Sequence, residues 1–407
     1  MGVVSRIGLA YHLREGFDSR GNRHTLIKSV ARTLSTHAEF GIGPNNPTAD
    51  CEPIYPVLIA VCCRTFGELG LQWLGVCLVQ TALFLASATA VARITFLLSG
   101  SRFAANLAFG AVFLYPFYVT QSVSIVDTSL ACYGLSTVVL RWVRAEATPT
   151  VNTVTLLGVA YGCCLLVRFG NICLLPFILW TVMGATPKGR KLSMGLLVLV
   201  AAGAVVCPWC ARNYHLSGRP AVTTHGAIEV WLGFNAQTRA HMESRTSVDR
   251  MRPARYELVN GLRELGTFDT AISREVAEAR LYLAAALLYA RENPWDCIGT
   301  CADKFECFWT WELNPRSDAR FFKVWSLIYA VSYIPILCMG LLGIATLAYR
   351  RGGMSAPLWV IFAYTLMHSV VFGFTRLRLP MDQMLMVFGS QLVAIVHARR
   401  DIMSSKR

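Results

Sequence analysis

Residues Val205 to Asn235 read VVCPWCARNYHLSGRPAVTTHGAIEVWLGFN. The chain before them is apolar from Leu192, long enough for a helix that crosses a bilayer, and Pro208-Trp209 is predicted to end that helix. Trp209 and then Arg212 place an aromatic ring and a cation at headgroup depth, where a phosphate sits. Gly218, Pro220, Gly226 and Gly233 follow, so the stretch reads as a membrane exit that turns into a folded loop.

Composition agrees with a membrane exit. Of 407 residues 54% are hydrophobic and 15% charged, against about a quarter charged in soluble domains. The formal net charge of +14 is read as topology and contact with anionic lipid headgroups, not as a nucleic-acid footprint. Many of the 14 cysteines, including Cys62, Cys63, Cys77, Cys132, Cys163, Cys164, Cys173 and Cys338, lie in apolar runs and read as small hydrophobes.

In chain order, residues 1–20 hold one short apolar patch, Ile7 to Tyr11, too short to span a bilayer. An expected first helix is missing there, which reads as a truncated chain or a misplaced start. Leu26, Ile27, Val30, Ala31 and Leu34 fall at helical spacing among Arg23, Lys28 and Arg32, which predicts an amphipathic surface helix over 22–35. Pro44, Pro47, Pro53 and Pro56 then predict a rigid loop feeding a short apolar helix from Ile54 to about Cys63.

Spanning segments are predicted near 71–98, 103–119, 127–143, 149–167, 171–184, 192–210, 323–348, 356–374 and 380–397. Arg141, Arg144, Lys188, Arg190, Lys191, Arg350, Arg351, Arg399 and Arg400 fall on one side if helices alternate, and the positive-inside rule makes that side cytoplasmic. The expected divisions are an extracytoplasmic first loop, 1–70, a first part of the bundle, 71–210, an extracytoplasmic helical loop or lid, 211–322, and the rest of the bundle with a tail, 323–407. A helix over about 270–292, capped by Asp269, and an aromatic belt from Phe305 to Trp311 are expected in the lid. This topology gathers Glu52, Asp127, Arg168, Asn171, Arg212, Asn213, Arg376 and Arg378 onto one face, and ionisable groups at membrane depth mark a pathway or a site.

PWxxRNYxxxG with the later GxN, PTA followed by EPIYPxLxA, SIVDTSLA and RxRLPMDQ together resemble the motifs of polyprenyl-phosphate-sugar-dependent membrane glycosyltransferases, the class that includes protein O-mannosyltransferases and the lipid A aminoarabinose transferase. The resemblance implies an all-α polytopic transmembrane bundle in a bacterial inner membrane. It also implies inverting sugar transfer from a polyprenyl-phosphate donor to an extracytoplasmic acceptor whose identity stays open. No cofactor or metal is evident. Such chemistry needs a carboxylate to take the acceptor's proton and cations to offset charge on the departing phosphate.

Asp127 matches the class's acidic position at a helix start, and Arg212, Arg376, Arg378 and Lys28 are the candidate phosphate partners. Tyr55, Arg168, Asn213, Trp231 and Asn235 are expected to line the cavity. The chain departs from the class around Asn22 to His24, where the usual acid is absent. The catalytic acid is then Asp18, Asp127 or Glu52, or the protein is an inactive relative. A transporter or flippase that binds the same lipid phosphate is the alternative from another class, weakened by the absence of an internal repeat.

Cys207-Pro-Trp-Cys210 has dithiol spacing without a surrounding βαβ pattern, and Cys297, Cys301 and Cys307 have His241 alone as a companion, so neither reads as a redox or zinc site. His368 reads as a hydrogen-bonded histidine inside the bundle.

Overall fold

The structure is a computed structural model that describes residues 22–67, 71–244, 254, 257–260, 271–313, 320–351 and 355–404. Asp18 and Asp269 lie outside the described residues. Helix α1 (Asn22–His37) is followed by a short antiparallel pair, β1 (Gly41–Gly43) with β2 (Asn46–Pro47), and by α2 (Ile54–Phe66). Then come α3 (Gln72–Ser99), α4 (Arg102–Leu114), α5 (Pro116–Ser122), α6 (Thr128–Ala147) and α7 (Val151–Val167). A 3-10 turn over Phe169–Leu174 leads into α8 (Leu175–Ala185), and α9 (Lys191–Ser217) runs on to the opening stretch. Beyond it lie α10 (Gly226–Gly233), α11 (Thr238–Ser244), α12 (Ala271–Glu292) and α13 (Pro294–Trp309), before α14 (Arg320–Arg351), α15 (Ala356–Val370) and α16 (Thr375–Ser404).

The protein is an all-α, multi-pass membrane bundle. Among the described residues four helices are long and apolar enough to cross a membrane, Gln72–Ser99, Lys188–Ser217, Lys323–Leu347 and Thr375–Ala398. α4 and α5 pass the same test together, as one span bent by 51° where Pro116 starts the second piece. The expected spans at 149–167, 171–184 and 356–374 are shorter apolar helices. Burial sorts the long ones: 78% of the apolar window of α16 is inside the bundle, against 28% for α9 and 22% for α14, so α16 is axial and the other two are peripheral. Leu192, Leu196 and Val200 on α9 and Leu327, Val331 and Leu342 on α14 point outward, an arrangement suited to lipid and costly in water.

Small residues set the closest seam. A Cβ on Gly162 of α7 would lie 2.7 Å from the Ala202 carbonyl of α9, so the backbones touch as membrane helices do where side chains are absent. The predicted stripe of α1 is also realised: Ile27 and Ala31 are buried against Tyr55, Ile59, Ala60 and Cys62 of α2.

Two expectations are corrected. α9 does not stop at Pro208-Trp209 but continues through Pro208 to Ser217, ending where Gly218 adopts a left-handed φ of 68° and its N–H bonds the Tyr214 carbonyl. One missing N–H and one displaced carbonyl are tolerable in a long helix, whereas a left-handed residue terminates it. The aromatic belt is also divided: Phe308 is buried in the core, while Phe305 and Trp311 face outward.

Candidate functional site

The polar groups gather at one end of the bundle, where the turns before α6 and after α7 meet the first loop. Gln80, in the apolar run of α3, organises one of these turns. Its Nε2 donates to the carbonyls of Ser122 (3.1 Å) and Ser124 (2.9 Å), and its Oε1 accepts from the Tyr55 hydroxyl at 3.1 Å. That buried amide fixes the approach to Asp127 and ties Tyr55 to it. Asn171 organises the other turn. Its Nδ2 donates to the Cys164 and Arg168 carbonyls at 3.3 and 3.0 Å, and its Oδ1 accepts from the buried Tyr364 hydroxyl.

These two turns bring Asp127 and Arg168 into contact. Arg168 donates to Asp127 Oδ2 from Nη2 at 2.9 Å and from Nε at 3.2 Å. The side chains are 22% and 13% exposed, so the pair is partly shielded and stronger than a surface ion pair. Asp127 stands at the N-cap of α6, makes no side-chain capping bond, and turns its carboxylate to Arg168 instead. Glu52 joins from the first loop, its Oε1 accepting the Phe169 N–H at 3.3 Å. Glu52 lies within electrostatic reach of Arg168, and Arg376 and Asp127 within reach of Tyr55. Two carboxylates, two arginines and a tyrosine thus come from the first loop, α2, the turns before α6 and after α7, and the start of α16.

Other expected site residues are used differently. Arg212 donates to the carbonyls of Thr48 and Phe40 at 2.7 Å and to Asn213 Oδ1 at 2.8 Å, with its guanidinium 4.8 Å from the Trp209 ring. It is a clamp on the first loop, with its fork engaged by the backbone carbonyls of Phe40 and Thr48. Asn213 donates to Ala221 O at 2.7 Å, and Trp209 Nε1 to Val222 O at 2.8 Å, so both fold the chain back after α9. Asn235 bonds the Trp231 carbonyl at 2.8 Å, and Trp231 packs on Tyr282 of α12. Gly233 is required between them: a Cβ there would lie 1.8 Å from the Val371 carbonyl. Lys28 stays on α1, half-buried.

Arg378 lies in the packed interior of the bundle. It is 0% exposed and forms an ion pair with Asp382 at 3.0 Å. It donates to the Thr310 carbonyl at 3.2 Å, to the Phe308 carbonyl and to the Tyr329 hydroxyl, and it stacks 3.7 Å from the Tyr333 ring. It holds α13, α14 and α16 together from a fully buried position. His368 stays inside, as expected, its Nδ1 2.8 Å from the Phe372 carbonyl. Among the described residues no group of three or more His, Cys, Asp and Glu side chains could hold a metal ion.

Lys304, read from sequence as part of an interfacial belt, is buried. Its Nζ donates to Val370 O at 2.8 Å and lies 4.0 Å from the centre of the Phe234 ring. Burial lowers its pKa from 10.5 to about 8. Between those values the unfolded chain binds more protons than the folded one, so stability rises with pH across that window. Thermal unfolding in detergent should show the melting temperature rising from about pH 8 towards pH 10, and Lys304→Met should remove that component.

The fold and this end of the bundle define a polytopic helical membrane protein with a charged polar cluster beneath folded loops. The chain is similar to ArnT from Cupriavidus metallidurans bound to undecaprenyl phosphate, with 14% identity over 98% of this chain and 79% of that one and a TM-score of 0.42. With the apo state of ArnT it shares 16% identity over 96% and 77% of the two chains, with a TM-score of 0.38. No protein-family model matches the chain, and no curated protein sequence matches it.

Proposed function

We propose that the protein transfers a sugar from a polyprenyl-phosphate donor to an extracytoplasmic acceptor, at the cluster of Asp127, Arg168, Glu52, Tyr55 and Arg376. The observation that carries this reading is the Arg168–Asp127 pair at 2.9 Å. A carboxylate oriented by an arginine can direct an acceptor hydroxyl or amine and take its proton, while a nearby arginine offsets charge on the departing phosphate. Asp127 is the favoured acid among the described residues, and Glu52 is next to it. Arg376 keeps the phosphate role.

The test is release of labelled sugar from a polyprenyl-phosphate donor by the protein in lipid vesicles. Movement of the lipid across the bilayer without sugar transfer would instead support the flippase reading. Arg376→Ala should weaken donor binding by about 1.5–3 kcal/mol, the range for hydrogen bonds to charged groups. Lysine should rescue in part, since it keeps the charge and loses the bidentate fork. Unchanged donor affinity in a folded Arg376→Ala protein would remove it from the site.

The cluster is proposed to face away from the cytoplasm, with 1–70 and 211–322 on that side and the membrane a bacterial inner membrane. In a background lacking the exposed native cysteines, an impermeant thiol reagent on intact cells should label Glu292→Cys and spare Gly189→Cys. The reverse pattern would turn the bundle over.

A further inference from the structure

The segment Thr48–Asp50 of the first loop is gripped by side chains that lie far from it in sequence. Glu275 on α12 accepts from the Thr48 hydroxyl at 2.6 Å and from the Ala49 N–H at 2.9 Å. His225, just before α10, has Nδ1 3.3 Å from Asp50 Oδ1 and Nε2 3.1 Å from Glu229 Oε1, and the neighbouring Thr224 N–H donates to Ala49 O at 2.9 Å. Arg212 holds the carbonyls of Phe40 and Thr48. Glu52, two residues beyond, is the carboxylate this segment delivers towards Arg168.

We propose that Glu275 and His225 are positioning residues that form a proton-dependent clasp, holding the first loop against segment 211–322 when protonated and releasing it when they lose their protons. A protonated Glu275 keeps both contacts, donating its O–H to the Thr48 hydroxyl oxygen and accepting the Ala49 N–H through its carbonyl oxygen. An ionised Glu275 makes them at the expense of a buried charge, with Asp50 and Glu278 adding repulsion. The charges facing this carboxyl are Asp50 from the loop, Glu278 on its own helix, itself paired with Arg274 at 2.8 Å, and Arg212 from α9.

Burial, the largest cause, outweighs the bonds from Thr48 and Ala49, which pull the other way, and with repulsion from Asp50 and Glu278 it moves the Glu275 carboxyl from 4.5 up to about 7. A clasped state that titrates near 7 and a released state near 4.5 means that protons favour the clasp. Its hold is complete below about 4.5 and is lost as pH rises through about 7. His225 works in the same direction. It faces Asp50 from the loop and Glu229 from α10, and the imidazolium alone donates to both carboxylates at once. Arg212 keeps its proton at every accessible pH, so it acts as the hinge about which the loop opens.

The clasp stands on this geometry; its consequence for catalysis, through the placement of Glu52, rests on the transfer reading above. Amide hydrogen exchange of peptides covering 40–52 reads the clasp without donor or turnover, so a failed transfer assay leaves this measurement standing. After correction for intrinsic exchange, wild-type protection should fall about tenfold or more between pH 5.5 and 8.5. Glu275→Gln supplies an amide donor and a carbonyl acceptor at every pH, so it should keep protection at pH 8.5 about fivefold or more above wild type, while Glu275→Ala loses it at both pH values. If transfer is detected, the alkaline rise in acceptor KM should be smaller in Glu275→Gln than in wild type. Wild-type protection independent of pH, or Glu275→Gln behaving like Glu275→Ala, would overturn the proposal.

Discussion

Arg378→Leu should destabilise the folded protein by about 3–5 kcal/mol, the cost of leaving a buried charge without its partner. Asp382 is the group left behind, at 0% exposure, and the carbonyls of Phe308 and Thr310 and the Tyr329 hydroxyl would lose their donor as well. Because these acceptors lie on α13, at its end and on α14, the damage should spread to the docking of α13 and to the start of α16. The double variant Arg378→Leu, Asp382→Leu should recover much of the loss, since replacing both charges of a buried pair with apolar groups is often close to neutral. Denaturant unfolding of the detergent-solubilised protein measures both. A well-folded Arg378→Leu protein with a specific defect in donor binding would return Arg378 to the site.

Asp127→Asn should keep the fold and donor binding and lower sugar transfer by about tenfold or more, a floor below the range of roughly 100-fold to 10,000-fold for loss of general acid–base catalysis. Asparagine still accepts from Arg168 through its amide oxygen, which limits the structural damage, but it cannot take a proton. The N-cap provides a control. Asn is as good a cap as Asp, and Asp127 makes no capping bond, so a change in turnover is not attributable to the helix end. Wild-type turnover in Asp127→Asn would shift the acid to Glu52, tested by Glu52→Gln, or to Asp18, tested by Asp18→Asn.

The sequence alone determined the class of fold. Long apolar runs interrupted by Gly, Pro and short basic clusters leave helix as the chain's way to satisfy its backbone in a bilayer, and the spacing of Ile27, Val30 and Ala31 already marked the inner face of α1. It also singled out Asp127 and Glu52, because a carboxylate beside an apolar run is conspicuous. The fate of the arginines was not readable locally. Arg212 and Arg378 look alike on paper, each beside a proline and aromatic or apolar residues, and each fits a phosphate partner.

Tertiary structure decided which acceptors each arginine meets. Arg212 meets carbonyls 164 and 172 residues away, and Arg378 meets carbonyls 70 and 68 residues away. A guanidinium satisfies whichever acceptors are nearest in space, and in a bundle that choice follows from helix packing and not from its sequence neighbours. The same reason hid Glu275 and Lys304, ordinary charges on amphipathic helices until α12 is laid on the first loop and α13 on the end of α15.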